Sequence, residues 1–145
     1  MSTMNLTQHA ATADQIAAGV FDLPANMRTE LQALLTFSEL PDEQEILARA
    51  EQIAGMAAFH ADDGPLPDDD EGGFALHAMI GGALWLMAPL AAALREQGIE
   101  PVFAFSVRET EEQKQSDGSV RKVNVFRHAG FVQAVAESSR KAYAD

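Results

Sequence analysis

Apolar residues run almost unbroken from Phe74 to Ile80, as expected of a strand buried on both faces. Gly81-Gly82 interrupts the run, and a helix is predicted over Ala83 to Gln97, closed by Gly98 as a left-handed terminator. Pro89 lies inside that helix and predicts a kink or a split first turn, because its ring removes one backbone donor. Pro101 to Arg108 reads as the next strand, with Ser106, Arg108 and Glu109 marking its polar end. Strand, glycine turn, helix and strand together form the unit of a parallel α/β sheet.

Upstream, Met4 to Gln8 forms a short β-prone segment that leads into His9. Thr12-Ala-Asp-Gln15 matches a capping box, so a short helix should start there and stop near Gly19. Pro24 suits the first turn of a second helix, with Met27, Leu31, Leu34 and Leu35 as its apolar stripe. Pro41 opens a third helix, whose stripe is Ile46, Leu47, Ala50, Ile53, Ala54 and Ala57, with Asp42, Glu43 and Glu45 complementing the dipole. The pattern then vanishes from His60 to Gly73. Six carboxylates sit there among Gly64, Pro65 and Pro67, the composition of a mobile, solvated acidic loop (61–73). The run lacks the spaced ligands of an EF-hand, so calcium is not expected there.

Downstream, Asp117-Gly118 is a hairpin signal that returns the chain antiparallel over Val120 to Arg127. Residues 134–145 are expected to form a peripheral helix or a tail. The expected fold is therefore α/β: a small, mainly parallel sheet with a C-terminal antiparallel hairpin and a helical insertion after the first strand. One domain over residues 1–145 accommodates all of it.

Composition narrows the chemistry. No cysteine is present, which removes disulfides, thiolate nucleophiles and cysteine-based zinc sites. The net charge is −12, unevenly placed: residues 119–145 carry five lysines and arginines against two carboxylates. An acidic body disfavours duplex nucleic acid, whose affinity for proteins comes mostly from phosphate neutralisation. A small anion needs only a local positive pocket. Met1-Ser-Thr-Met-Asn5 has neither a basic nor an apolar leader region, so a cytoplasmic location is expected. The stretch Phe74 to Leu94 approaches membrane length, but Gly81-Gly82 and Pro89 break it, and no membrane partner is expected.

Three features converge on one edge of the expected sheet: the turn from Asn5 through Thr7 to His9, the Gly81-Gly82 exit before a helix start, and the Ser106/Arg108 strand end. Helix N-termini and strand ends of α/β sheets favour anionic ligands. With Asp117 and Gly118 as the two central turn residues, Arg108 would lie opposite Arg127, and His128 opposite Val107. Like charges so placed repel unless an anion or a carboxylate lies between them. The competing reading is structural: Gly81-Gly82 lets strand and helix pack closely, and the two arginines neutralise neighbouring carboxylates. No Walker A, G-x-S-x-G, H-E-x-x-H or dinucleotide fingerprint occurs, and the four histidines lack metal-ligand spacing.

At Asn5-Leu-Thr-Gln-His9-Ala-Ala-Thr-Ala-Asp-Gln15 the chain resembles the small CRISPR-associated ring-nuclease families, some of which open with a strand, a Thr/His-rich turn and a Gln-containing helix start. Ile80-Gly-Gly-Ala83, Phe105-Ser-Val-Arg-Glu109, Asp117-Gly-Ser-Val120 and Val125-Phe-Arg-His-Ala-Gly-Phe131 are similar to segments of a bacterial and phage family of that shape. The resemblance implies a Rossmann-like homodimer that binds cyclic oligoadenylate across its interface and cleaves it without metal or cofactor, leaving a 2′,3′-cyclic phosphate. By position, it makes His9 and His128 the catalytic candidates and Asn5, Thr7, Gly81, Gly82, Ser106, Arg108 and Arg127 the ligand-binding ones. The long helical insertion and the acidic loop depart from the smallest members. Two other expectations stand beside cleavage: a protein that sequesters such a messenger without cleaving it, and an acidic module that blocks a nucleic-acid-binding partner.

Overall fold

The computed structural model describes residues 2–62 and 76–135. Along the chain these form β1 (Ser2–Asn5), α1 (Ala13–Ala17), β2 (Val20–Asp22), α2 (Ala25–Leu35), α3 (Glu43–Asp62), β3 (Leu76–Met79), α4 (Leu84–Glu96), β4 (Glu100–Lys114) and β5 (Val120–Gln133). The strands make one α/β sheet in the order β2-β1-β3-β4-β5. The first four are parallel and β5 is antiparallel to β4.

Strand alternation divides the sheet into two unequal faces. Met4, Leu6, Ala78 and Ile80 point toward α2, α3 and α4 and form the main core with Leu31, Ile53, Leu86, Leu90 and Leu94. The buried apolar residues of the opposite face are Val20, Met79 and Val102, with Ala11 and Phe131 packed against them. α1, which has no buried residue, lies over that face. Its capping box is complete: the Thr12 hydroxyl accepts from the Gln15 N–H, and the Gln15 side chain accepts from the Thr12 N–H.

Four expectations change. β2 was not anticipated, because three residues after Gly19 are too few for an alternation to register; it pairs with β1 at the sheet edge. α3 runs to Asp62, so His60 is helical and its ring lies 6.2 Å from Phe21 rather than in a loop. The rest of the acidic segment, with Phe74 and Ala75, and the tail beyond Val135 lie outside the described residues. α4 is a single helix with Pro89 inside it. Leu86, Leu90 and Leu94, all fully buried, hold it against the sheet on both sides of the proline.

The fourth change is the hairpin. β4 pairs with β3 only through Glu100 to Val102, yet it continues to Lys114 paired with β5 alone. The charged residues from Arg108 onward therefore mark the end of the sheet's core rather than the end of the strand. The turn also differs from the expected two-residue type. The Gly118 N–H donates to the Gln115 carbonyl, the Gln115 N–H donates to Ser119, and only Gly118 has positive φ, at 88°. A two-residue type I′ turn requires φ > 0 at both centres, which Asp117 avoids. The loop is thus a three-residue turn, and the register moves by one: Val107 faces Arg127, Arg108 faces Phe126 and Ser106 faces His128. A bulge between Phe105 and Ser106 absorbs the shift before the strands rejoin the sheet.

Among the described residues no helix is long and apolar enough to cross a membrane. The apolar stretch is divided between β3 and α4.

Two outcomes follow for the hairpin. Gly118→Ala should destabilise it by about 1–2 kcal/mol, the cost of a side chain in the left-handed region, detectable as faster amide exchange across β4 and β5. The Ser119 hydroxyl and N–H hold the Asp117 carboxyl below the usual aspartate range. This lowered folded value stabilises the turn above the ordinary aspartate pKa, and the stabilisation is lost as pH falls through the folded one. A carboxyl-carbon NMR titration should place Asp117 below the other exposed aspartates, and Ser119→Ala should return it toward them.

Candidate functional site

The chain leaves β1 toward β2 through α1 on one face, and leaves β3 toward β4 through α4 on the other. Where consecutive crossovers part in this way, the strand ends leave a crevice that neither helix fills. Here that crevice is a cleft of about 690 Å³. Thr7 to Ala10 and α1 (Thr12, Gln15) form one wall, Met79 to Gly82 the other, and Phe103 and Ala104 of β4 a third side.

The first wall is fastened from beneath. Asn5, 3% exposed, donates from Nδ2 to the Asp22 carboxylate at 2.7 Å and to the His9 carbonyl at 2.8 Å. Its Oδ1 accepts from the Thr7 N–H at 2.9 Å and the Thr7 hydroxyl at 2.7 Å. Asp22 also accepts the Ala11 N–H, so one buried amide and one carboxylate bind both ends of the turn. On its outer side the turn is tied to α2: Gln32 donates to the Gln8 carbonyl, and the Gln8 side chain donates to the Thr36 hydroxyl.

The second wall is backbone. The chain passes from Gly81 to Gly82, whose φ is 132°, into the N-terminus of α4, where no side chain caps the first turn. The first N–H groups of a helix have no intrahelical partner and carry the positive end of its dipole. A Cβ at Gly81 would meet only Thr7 Cγ2, at 3.6 Å. The lining offers hydroxyls, amides, the His9 imidazole and an apolar floor, and among the described residues no lysine, arginine or carboxylate lines it.

Of the residues singled out in the sequence, Thr7, His9, Gly81 and Gly82 line this cleft. Asn5 lies below it with both polar atoms engaged inside the protein, so it shapes the turn. Ser106, Arg108, Arg127 and His128 lie along the hairpin and do not line the cleft. The expected Arg108–Arg127 opposition is absent, because the register places the two on opposite faces of the ribbon. Arg127 is bonded to Glu111, with Glu109 at 3.8 Å, and these carboxylates hold its guanidinium above the usual arginine range, the Glu111 hydrogen bond first. His128 packs on Phe131 at 4.7 Å, its ring nitrogens enclosed and without a hydrogen-bond partner. Among the described residues no three His, Asp or Glu side chains are grouped to hold a metal ion.

The sequence reading missed Asp22, Gln8 and Phe103. Asp22 was recoverable only with β2, since a carboxylate at the end of an edge strand becomes meaningful once its neighbour is known to be Asn5.

Asn5→Ala should lower stability by about 1–3 kcal/mol, the cost of leaving buried hydrogen-bonding partners unmet. Denaturant unfolding measures the loss, and amide exchange should show it accompanied by opening of residues 7–11.

No curated protein and no solved structure matches the chain. One family model does, over residues 1–132, a span that includes every element lining the cleft. The chain belongs to the Uncharacterized protein MJ1673 family.

Proposed function

We propose that the protein binds a small anionic nucleotide in the cleft between the ends of β1 and β3. The carrying observation is a coincidence of position. The cleft lies at the switch point of the sheet and is lined by Gly81-Gly82, which lead into the uncapped N-terminus of α4, where backbone N–H groups can donate to a phosphate. Cyclic oligoadenylate, the class implied by the resemblance at Asn5 to Gln15, is the first ligand to test. A cytoplasmic setting and a homodimer sharing one ring belong to the same reading.

Cleavage is the finer form of this proposal. A ribose 2′-hydroxyl attacks the adjacent phosphorus, the P–O5′ bond breaks, and the products are a 2′,3′-cyclic phosphate and a 5′-hydroxyl. His9 is the cleft side chain suited to that proton transfer, taking the proton from the 2′-hydroxyl or giving one to the leaving oxygen. One observation favours binding without turnover as a second reading. Among the described residues no guanidinium lines the cleft to stabilise the crowded phosphorus, since Arg127 is held by its carboxylates and Arg108 lies exposed on the hairpin.

Calorimetric titration with cyclic tri-, tetra- and hexa-adenylate in EDTA, followed by chromatography of the mixtures, tests both forms. Saturable binding is expected, and Gly81→Asp should abolish it, because a Cβ there makes only ordinary contact with Thr7 and the carboxylate sets a negative charge at the cleft wall that repels phosphate. His9→Ala should lower product formation about 10²–10⁴-fold with binding retained. Binding with no product establishes sequestration, and the absence of binding by all three rings removes the proposal.

A further inference from the structure

We propose that Trp85 is the stacking surface for a purine base of the ligand in the cleft. This inference rests on the nucleotide reading above and adds the residue that would recognise the base.

Trp85 is the only tryptophan in the chain. It is 52% exposed, on the first turn of α4 and three residues beyond Gly82 of the cleft wall. Its exposure does not come from looseness. The indole meets Phe37 edge-on, with centroids 5.5 Å apart and planes at 76°. Phe37 is held in turn under the Arg49 guanidinium, 4.2 Å from the ring centre. Arg49 is fixed by the Leu34 and Thr36 carbonyls at 3.2 and 2.6 Å and by Glu45 at 2.8 Å. The tryptophan therefore stands on a built pedestal, which removes much of the entropic cost of positioning a stacking group.

The pedestal is joined to the cleft. Thr36, the residue before Phe37, accepts from the Gln8 side chain, and Gln8 lines the cleft. Trp85 does not itself line the cleft, but it is linked to two residues that do, to Gly82 through the start of α4 and to Gln8 through Phe37 and Thr36. A phosphate held at the α4 N-terminus would leave its own base one ribose away, within reach of Trp85. An aromatic face beside an anion-binding backbone is the pairing by which proteins hold nucleotides without reading their sequence.

Because there is one tryptophan, its emission reports this position alone. Titration with cyclic tetra-adenylate should quench the emission in step with binding measured by calorimetry, which needs no fluorophore. Ribose 5-phosphate, which has no base, should leave the emission unchanged. Trp85→Leu keeps apolar bulk without a stacking face and should weaken binding about 5- to 150-fold, while Trp85→Phe recovers most of it. Saturable binding with constant emission and full affinity in Trp85→Leu would overturn the stacking role and leave the nucleotide reading intact. Altered sedimentation of Trp85→Leu with unaltered affinity would assign Trp85 to protein–protein contact and also overturn it. No binding of cyclic tetra-adenylate to the unmodified protein removes both inferences.

Discussion

The handedness of the parallel crossovers is the constraint on which this structure depends. A strand–helix–strand connection in a parallel sheet turns right-handed. The chain moves from β1 to one neighbour, β2, and later from β3 away in the opposite direction to β4. With handedness fixed, reversing direction transfers the helix to the other face. α1 therefore covers one side, and α4 with α2 and α3 the other. The cleft is the space left where the two directions part, so it exists before any side chain has been chosen for chemistry.

The same reversal explains why the two faces are so unequal. Three helices of 11, 20 and 13 residues close one side of the sheet, and a five-residue helix lies on the other. The thin side tolerates polar groups that the thick side would not. Thr3, Asn5, His77 and Glu100 all belong to it by strand alternation. Asn5 satisfies its bonding groups through Asp22, Thr7 and His9, and this is what converts a buried polar residue into a fastening for the cleft turn. The neighbouring Thr3 hydroxyl and His77 Nδ1 are buried without a hydrogen-bond partner. Asn5 finds its partners because the turn after β1 folds back over it, whereas Glu100 has Arg95 at 3.9 Å.

Legibility from sequence followed the length scale of the interactions. The strand–Gly-Gly–helix–strand unit was readable because Leu76 to Leu94 repeats its environment over many residues, and the capping box because Thr12 and Gln15 satisfy each other locally. β2 was not readable: Val20 to Asp22 is a strand only because β1 lies beside it. The hairpin turn was located correctly at Asp117-Gly118, but its type depended on Asp117 keeping negative φ while its carboxylate bonds Ser119. That one-residue difference moved Arg108 and Arg127 from opposition to opposite faces. Half of the expected site, Thr7, His9 and the glycine pair, depended only on strand ends and came together. The other half depended on hairpin register and did not.

Charge completes the picture of what such a cleft selects. The chain carries a net charge of −12, yet among the described residues no carboxylate lines the cleft. A polyanion lying across the surface would meet carboxylates along its length, and its phosphates would find few cations to release counterions against. A small anion entering the cleft is shielded from the more distant carboxylates by salt, since the Debye length is about 8 Å at physiological ionic strength. It would meet backbone dipoles that are fixed in direction and need no cation. Directional N–H groups in an otherwise neutral cleft discriminate by shape and by the placement of acceptors, where an arginine cluster would respond to charge alone. On the proposed reading, the acidic exterior would act against extended nucleic acid and the backbone N–H groups of the cleft would act for a compact anion.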